Sequence, residues 1–270
     1  MSSDSSDTNR LIILICFSWL DVIWSRMLDS TAQLNKYFMK KSIKSLLNSE
    51  ILFIFAHSNN KSMMHMENRQ ISIGVFIDGG YYAKVDEELM RAMKMQIDLK
   101  SLLGYIRNKI STKYELEFSD CQITECHYFR GRYRVNDAQN KHILYVERKF
   151  EDALIENDVV FHYKHLREVQ KNGQQVVIEK GIDVWYALES YELALIRKFD
   201  FVILITGDAD HEMLIKKLKS LKVRVMLLTW DLGRESSTSP FLHEEAGWHI
   251  ELSDECRKEQ KLINKLCKIL

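Results

Sequence analysis

The chain has 270 residues, with 38 basic and 38 acidic side chains, a formal net charge of zero, 46% hydrophobic and 28% charged residues. That balance supplies a core and excludes extensive disorder, and a neutral total excludes nucleic-acid binding by bulk charge, so any such contact needs a local basic patch. One proline and ten glycines are too few for a turn-dense all-β sandwich, which leaves long elements of helical or α/β character.

The first third lacks pattern. Leu11 to Leu20 (LIILICFSWL) is nearly all apolar, but Asp21 interrupts it, short of the roughly 20 residues that a membrane span needs. Asp4 and Asp7 before a lone Arg10 have the wrong charge for a secretory signal, and no small-residue cleavage site follows clearly. Ile51 to Ala56 is a second short apolar run, and neither run shows a helix or strand period. Three readings of residues 1–70 stand: a weak membrane anchor, a helical extension, or residues outside the mature protein. Met63, Met64 and Met66, just ahead of the first clear strand, favour the third. A native mass near 31.9 kDa would sink it. Stable membrane association is not expected.

Order begins at Ile71. Ile71 to Ile77 is an apolar, β-rich run ending in Asp78-Gly79-Gly80, which reads as a buried strand stopping in a tight turn, paired glycines tolerating positive φ. Asp98 to Ile110 places Leu99, Leu102, Leu103, Ile106 and Ile110 on one helical face. Cys121 to Phe129 reads as a strand, Ala138 to Ile155 as a helix, Val159 to Tyr163 and Val176 to Ile178 as strands. A helix runs from Gly181 to about Lys198, Phe201 to Ile205 is a strand, Thr206 to Asp210 opens a helix through Ser220, and Val223 to Leu228 is a further strand. Cys256 to Leu270 reads as a basic amphipathic helix, with Leu262, Ile263, Leu266 and Ile269 at helical spacing. The five cysteines, odd in number and irregular in spacing, argue for reduced thiols in a cytoplasmic protein; Cys121 and Cys126 lack a second pair to complete a zinc site.

Strands too apolar to be one-sided, alternating with helices, predict an α/β fold with a mostly parallel sheet covered on both faces. Ligands of such sheets sit beyond the carboxyl ends of the strands. Asp78, Asp208 and Asp210 follow strands directly, and Asp183 reaches the same edge if the crossover is right-handed. Singly, each has a bland role as a helix cap or turn residue, worth about 0.3–1 kcal/mol. Four carboxylates about 5 Å apart would repel by about 3 kcal/mol per pair at an effective dielectric near 20, so a converging cluster stays partly protonated or holds a cation. Oxygen-only ligands select Mg²⁺ or Mn²⁺, and the matching reaction is phosphodiester hydrolysis by a metal-bound water.

The segments FIDGGYY, EKGIDVWYALESYELAL and DFVILITGDADHEMLIKKLKSLKVRVMLL, in that order, resemble the NYN domain in its LabA-like branch. The likeness spans about Ile71 to Leu252 and implies a PIN-like Rossmannoid fold, metal-dependent ribonuclease activity, and Asp78, Asp183, Asp208 and Asp210 as the catalytic and metal-binding acids, with RNA cleaved to leave a 5′-phosphate. Residues 71–252 form the domain on this reading, with 253–270 as its C-terminal helix. Tyr81 stands where many members carry Asn, and His211 where an apolar or aromatic residue usually follows. His211 is read as a helix-surface histidine rather than a second-shell group or proton shuttle.

His127 to Arg134 (HYFRGRYR) alternates arginines with aromatics at the presumed active edge. Arginine grips phosphate bidentately and aromatics stack on unpaired bases, which suits single-stranded RNA; a solvated loop with inward aromatics is the equal alternative. Arg130, Arg132, Arg134, Lys180 and Tyr81 are the candidate RNA contacts, with Lys164, Arg167 and Lys171 extending the patch and Ser236 to Ser239 and His243 at the rim. Two rivals stand beside the nuclease. A HAD-like phosphatase needs a second Asp two residues after its nucleophile, where Gly80 sits. A non-catalytic RNA-binding or scaffold protein would keep the fold without the chemistry.

Overall fold

A computed structural model describes residues 69–171, 174–231 and 238–269. Residues 1–68, with both apolar runs, the three methionines and Cys16, lie outside the described residues, as do Ser236 and Ser237. No helix among the described residues is long and apolar enough to cross a membrane.

In chain order the elements are β1 (Ile71–Asp78), α1 (Gly79–Met93), β2 (Met95–Ile97), α2 (Leu99–Tyr114), β3 (Cys121–Arg132), α3 (Val135–Asn140), α4 (Leu144–Glu156), β4 (Val159–His165), β5 (Arg167–Lys171), β6 (Gln174–Ile178), α5 (Ile182–Arg197), β7 (Phe201–Ile205), α6 (Glu212–Ser220), β8 (Arg224–Thr229), α7 (Pro240–Ala246), β9 (His249–Glu251), α8 (Leu252–Lys258), α9 (Gln260–Leu266) and β10 (Cys267–Ile269). A single 3-10 turn, Ala209–His211, precedes α6. Six strands form one all-parallel sheet in the order β4-β3-β1-β7-β8-β9, which is the α/β architecture that the apolar strands predict.

The sheet is covered on both faces, and its central strands show why. Every residue of β7 is buried, so alternate side chains enter two separate cores. Ile73, Val75 and Ile77 join Val85, Leu89, Leu102 and Ile106 on one side. Phe76, Val202 and Leu204 meet Ile182, Tyr186 and Ile215 on the other. From β1 the chain builds outward through β3 to β4, then returns to β7 and builds the other way through β8 and β9. The reversal falls between β1 and β7, and the crevice at such a switch point is where parallel sheets bind ligands.

Several local expectations are corrected. Gly79 and Gly80 are the first turn of α1, and the described positive-φ glycines are Gly181 and Gly247 instead. Gly79 is required by space: a Cβ there would lie 2.6 Å from the Phe129 carbonyl. The helix expected over Ala138 to Ile155 is two helices, broken where His142 takes φ 57°. The short strand at Val176 is half of a β5–β6 hairpin. The C-terminal segment is not one helix: Glu259 is extended (φ −122°, ψ 91°), separating α8 from α9, and β10 leaves the helix to pair antiparallel with β2. Burial of Leu262, Leu266 and Cys267 on α2 and β2 outweighs continued helical spacing.

Candidate active site

At the carboxyl edge of β1, Asp78 ends the strand level with Phe129 of β3, while its neighbour Ile77 pairs with Ile205 of β7. Its Oδ1 accepts the Tyr81 N–H at 3.0 Å and so caps α1. Its Oδ2 accepts the Thr206 hydroxyl at 3.0 Å, tying β1 to the loop after β7. That loop turns back on itself, with the Asp208 N–H donating to Thr206 Oγ1 at 3.3 Å and the Asp210 N–H to Asp208 Oδ1 at 3.0 Å. Asp183 lies in the first turn of α5 behind Gly181, whose φ of 78° delivers the chain into the helix. The bland capping roles are real for Asp78 and Asp208, each through a single oxygen, whereas α5 has no side-chain cap at its start.

Electrostatics show that the acids share one region. The Asp183 carboxyl is pushed above its ordinary value, first by partial burial and then by the charges of Asp78, Asp208 and Asp210, with His211 pulling the other way. A fifth acid, Glu179, belongs with them. Its Oε1 accepts the Gly131 N–H, and a Cβ on Gly80 would lie 3.5 Å from its Oε2 and 3.3 Å from Asp78 Oδ1. Burial raises the Glu179 carboxyl, the Gly131 bond opposes this, and Asp78 and Asp183 raise it further. Glu179 was legible only as the first letter of the EKGID segment; no periodicity marks it, because it stands between hairpin and helix.

Tyr81 and His211 require correction. Tyr81 is 7% exposed, and its hydroxyl donates to the Trp230 carbonyl at 2.9 Å and accepts the Trp230 N–H at 2.8 Å. Both hydrogen-bonding directions are spent inside the core, so the residue is not an RNA contact. His211 is 2% exposed, packs on Tyr186 with ring centroids 4.6 Å apart, and places Nδ1 3.0 Å from Thr206 Oγ1. It is no surface histidine, because the 3-10 turn before α6 rotates it inward.

The basic residues divide. Arg132 packs against α4, with Nη1 2.9 Å from Glu151 Oε1; the RNA contact assigned to it is corrected to an ion pair that anchors the helix. Arg130 is half-buried among Tyr128, Glu179 and Tyr163. Arg134 and Lys180 are exposed. Lys164 borders the start of α5, its Nζ 3.0 Å from where a Cβ on Gly181 would sit. Ser239 donates its N–H to the Gly207 carbonyl at 3.4 Å, whereas His243 stacks on His249 at 3.8 Å.

The NYN domain family matches residues 72–253. The chain belongs to the NYN domain family. NYN domains are generally nucleases of PIN-like fold that typically use divalent metals, so a nucleic acid is the substrate that membership implies. The chain is also similar to the crystal structure of a protein of unknown function from Vibrio parahaemolyticus RIMD 2210633, at 16% identity and a TM-score of 0.43, over 70% of this chain and 97% of that one. No curated protein matches the chain.

Whether these acids suit a metal follows from their chemistry. Their donors are all carboxylate oxygens, the set that hard divalent cations prefer. Among the described residues none of the five forms an ion pair with Lys or Arg. Nor do any three Asp, Glu, His or Cys side chains already stand close enough to enclose an ion. Glu179, Asp183, Asp208 and Asp210 are exposed, and exposed side chains change rotamer on the ps–ns timescale, so their carboxylates are free to reorient toward an ion. The group fits.

Proposed function

We propose that this protein is a Mg²⁺- or Mn²⁺-dependent ribonuclease of the LabA-like branch, hydrolysing phosphodiester bonds of single-stranded RNA. The reading is supported by the charge coupling of Asp183 to Asp78, Asp208 and Asp210, and of Glu179 to Asp78 and Asp183, on acids that form no Lys or Arg ion pair among the described residues beside the β1–β7 switch point. A divalent ion bound there supplies Lewis-acid charge to the phosphate and acidity to water. The four aspartates hold it. Asp78, fixed through both oxygens, is the rigid member; Asp183, Asp208 and Asp210 adjust. Lys164 and Lys180 border the start of α5 and neutralise RNA phosphates approaching the acids, and Arg134 extends that contact. Arg130, half-buried and hydrogen-bonded to Tyr128, lends its charge to Glu179 and is less free to reach substrate.

The test is Asp78→Asn with a 5′-labelled single-stranded RNA in Mn²⁺. The expected outcome is cleavage by the wild type, at least a hundredfold loss in the variant, and retained RNA binding. Metal-dependent cleavage absent from the wild type, with RNA still bound, would instead make the protein a non-catalytic binder on the same fold. Wild-type cleavage that persists in EDTA sinks the metal assignment.

A further inference from the structure

Thr206 lies at the centre of three hydrogen bonds, and a hydroxyl has one hydrogen and two lone pairs. The Asp208 N–H can only donate, so it takes one lone pair, at 3.3 Å. The Asp78 carboxylate can only accept, so it takes the hydrogen, at 3.0 Å. One lone pair is left, and His211 Nδ1 is the third neighbour, at 3.0 Å. Nδ1 must therefore carry the proton.

We infer that His211 is a positioning residue, whose Nδ1–H donates to Thr206 Oγ1 and thereby obliges the Thr206 hydroxyl to point at Asp78 Oδ2. The chain of donors runs one way, from the imidazole through the hydroxyl to the carboxylate. Asp78 then receives one neutral donor on each oxygen, from Thr206 and from the Tyr81 N–H, and keeps its remaining lone pairs for a cation. An aromatic or aliphatic side chain at 211 fills the same space against Tyr186 without dictating which way the hydroxyl turns. The polarity is reinforced by packing: with the ring 2% exposed beside Tyr186, exchanging its two nitrogens means repacking the core. Nε2 is buried and has no hydrogen-bond partner among the described residues, so the geometry gives the proton a use only at Nδ1. Partners that orient ligating carboxylates act as His211 does here, and losing one typically weakens metal affinity by about 10–100-fold.

This inference rests on the cation-binding reading of the pocket for its consequence, but not for its detection. The first measurement is ¹⁵N NMR of the histidine side chains in the full-length wild type without metal, with His211 assigned by its loss in His211→Phe. A proton on Nδ1 is expected. A bare Nδ1 with the proton on Nε2 overturns the inference, because Thr206 would then have to donate to His211 and could not donate to Asp78. The second measurement is Mn²⁺ affinity by calorimetry. His211→Phe keeps the packing but lacks the donor and is expected to bind Mn²⁺ about 10–100-fold more weakly. His211→Asn, which offers an amide N–H near the place of Nδ1, is expected to retain most of the affinity, whereas equal binding by Phe, Asn and wild type overturns the positioning role. If the wild type binds no Mn²⁺, the metal reading falls by itself and the nitrogen spectrum still decides the donor direction; if His211→Phe fails to fold, assignment passes to His211→Asn.

Discussion

Gly207 and Tyr81 explain one another. A Cβ on Gly207 would lie 2.5 Å from Tyr81 Cε2, because the tyrosine ring passes directly beneath the loop that carries Asp208 and Asp210. The ring is there because its hydroxyl bridges both backbone groups of Trp230, at the end of β8. Burial pushes that hydroxyl up to about 12, so it remains a neutral donor and acceptor throughout the working pH range. Tyr81→Phe leaves the buried Trp230 N–H and carbonyl without their partner and is expected to cost about 1–3 kcal/mol in urea denaturation. Gly207→Ala is expected to displace the ring and the acidic loop together, lowering catalysis more than stability. An unchanged cleavage rate in Gly207→Ala would show the contact to be slack.

The arginines make the opposite point at the same scale. In the sequence Arg130, Arg132 and Arg134 look equivalent, because alternation along a strand says which face a side chain takes but not what waits there. Arg132 meets Glu151, whose side chain is 7% exposed. Arg132→Ala is therefore expected to lose about 1–3 kcal/mol of stability, Arg148 retaining part of the charge balance, with little change in RNA affinity. Lys164→Ala is expected to do the reverse: unchanged melting, weaker RNA binding, and a salt dependence reduced by about one counterion. Equal effects of the two variants on binding would restore the sequence-based patch.

Among elements, those built from periodic apolar residues were legible and those built from long-range pairing were not. The strands β1, β3, β7 and β8 and the helices α2 and α5 stand where their patterns predict, because each buries enough apolar surface to fix its own state. β2 and β10 are three residues each and exist only as partners of one another, so no local signal reveals them. Asp86 secures that junction by accepting the Ile97 N–H at 2.8 Å, and burial raises its carboxyl from 3.8 to about 6. A raised carboxyl favours the folded state while protonated, so this contribution is full below about pH 4 and is lost as pH rises through about 6. Asp86→Asn keeps an acceptor without the buried charge. It is expected to gain on the order of 1–3 kcal/mol over the wild type at pH 8 and to match it near pH 4; a gain independent of pH would mean that charge is not the cause.

For the whole molecule, the acid pocket sets stability against function. Its aspartates drew attention in the sequence because each directly follows a strand or opens a helix, positions that a parallel sheet gathers at one edge; Glu179 was not singled out and His211 was read as a surface residue, since a hairpin exit and a 3-10 turn place them. Within the pocket, partial burial and neighbouring acids hold Asp183 and Glu179 above their ordinary values. In each case the folded state prefers the protonated form, so the stability they lend is complete in acid and is lost as pH rises through their raised values, leaving net strain at neutral pH. Removing one charge should relieve it. Asp183→Asn in EDTA at pH 7 is expected to melt higher than the wild type by on the order of 1–3 °C, with the advantage vanishing at acid pH. Mn²⁺ reverses the ranking. An ion that binds only the folded state adds about 2.7 kcal/mol at a concentration 100 times its Kd, and the wild type, with its full set of acids, should receive more of it than the variant. The two melting curves, taken with and without Mn²⁺, should therefore cross in order. A variant that melts below the wild type in EDTA would mean that Asp183 serves α5 as a helix-terminal charge, and that the pocket carries no strain for a cation to relieve.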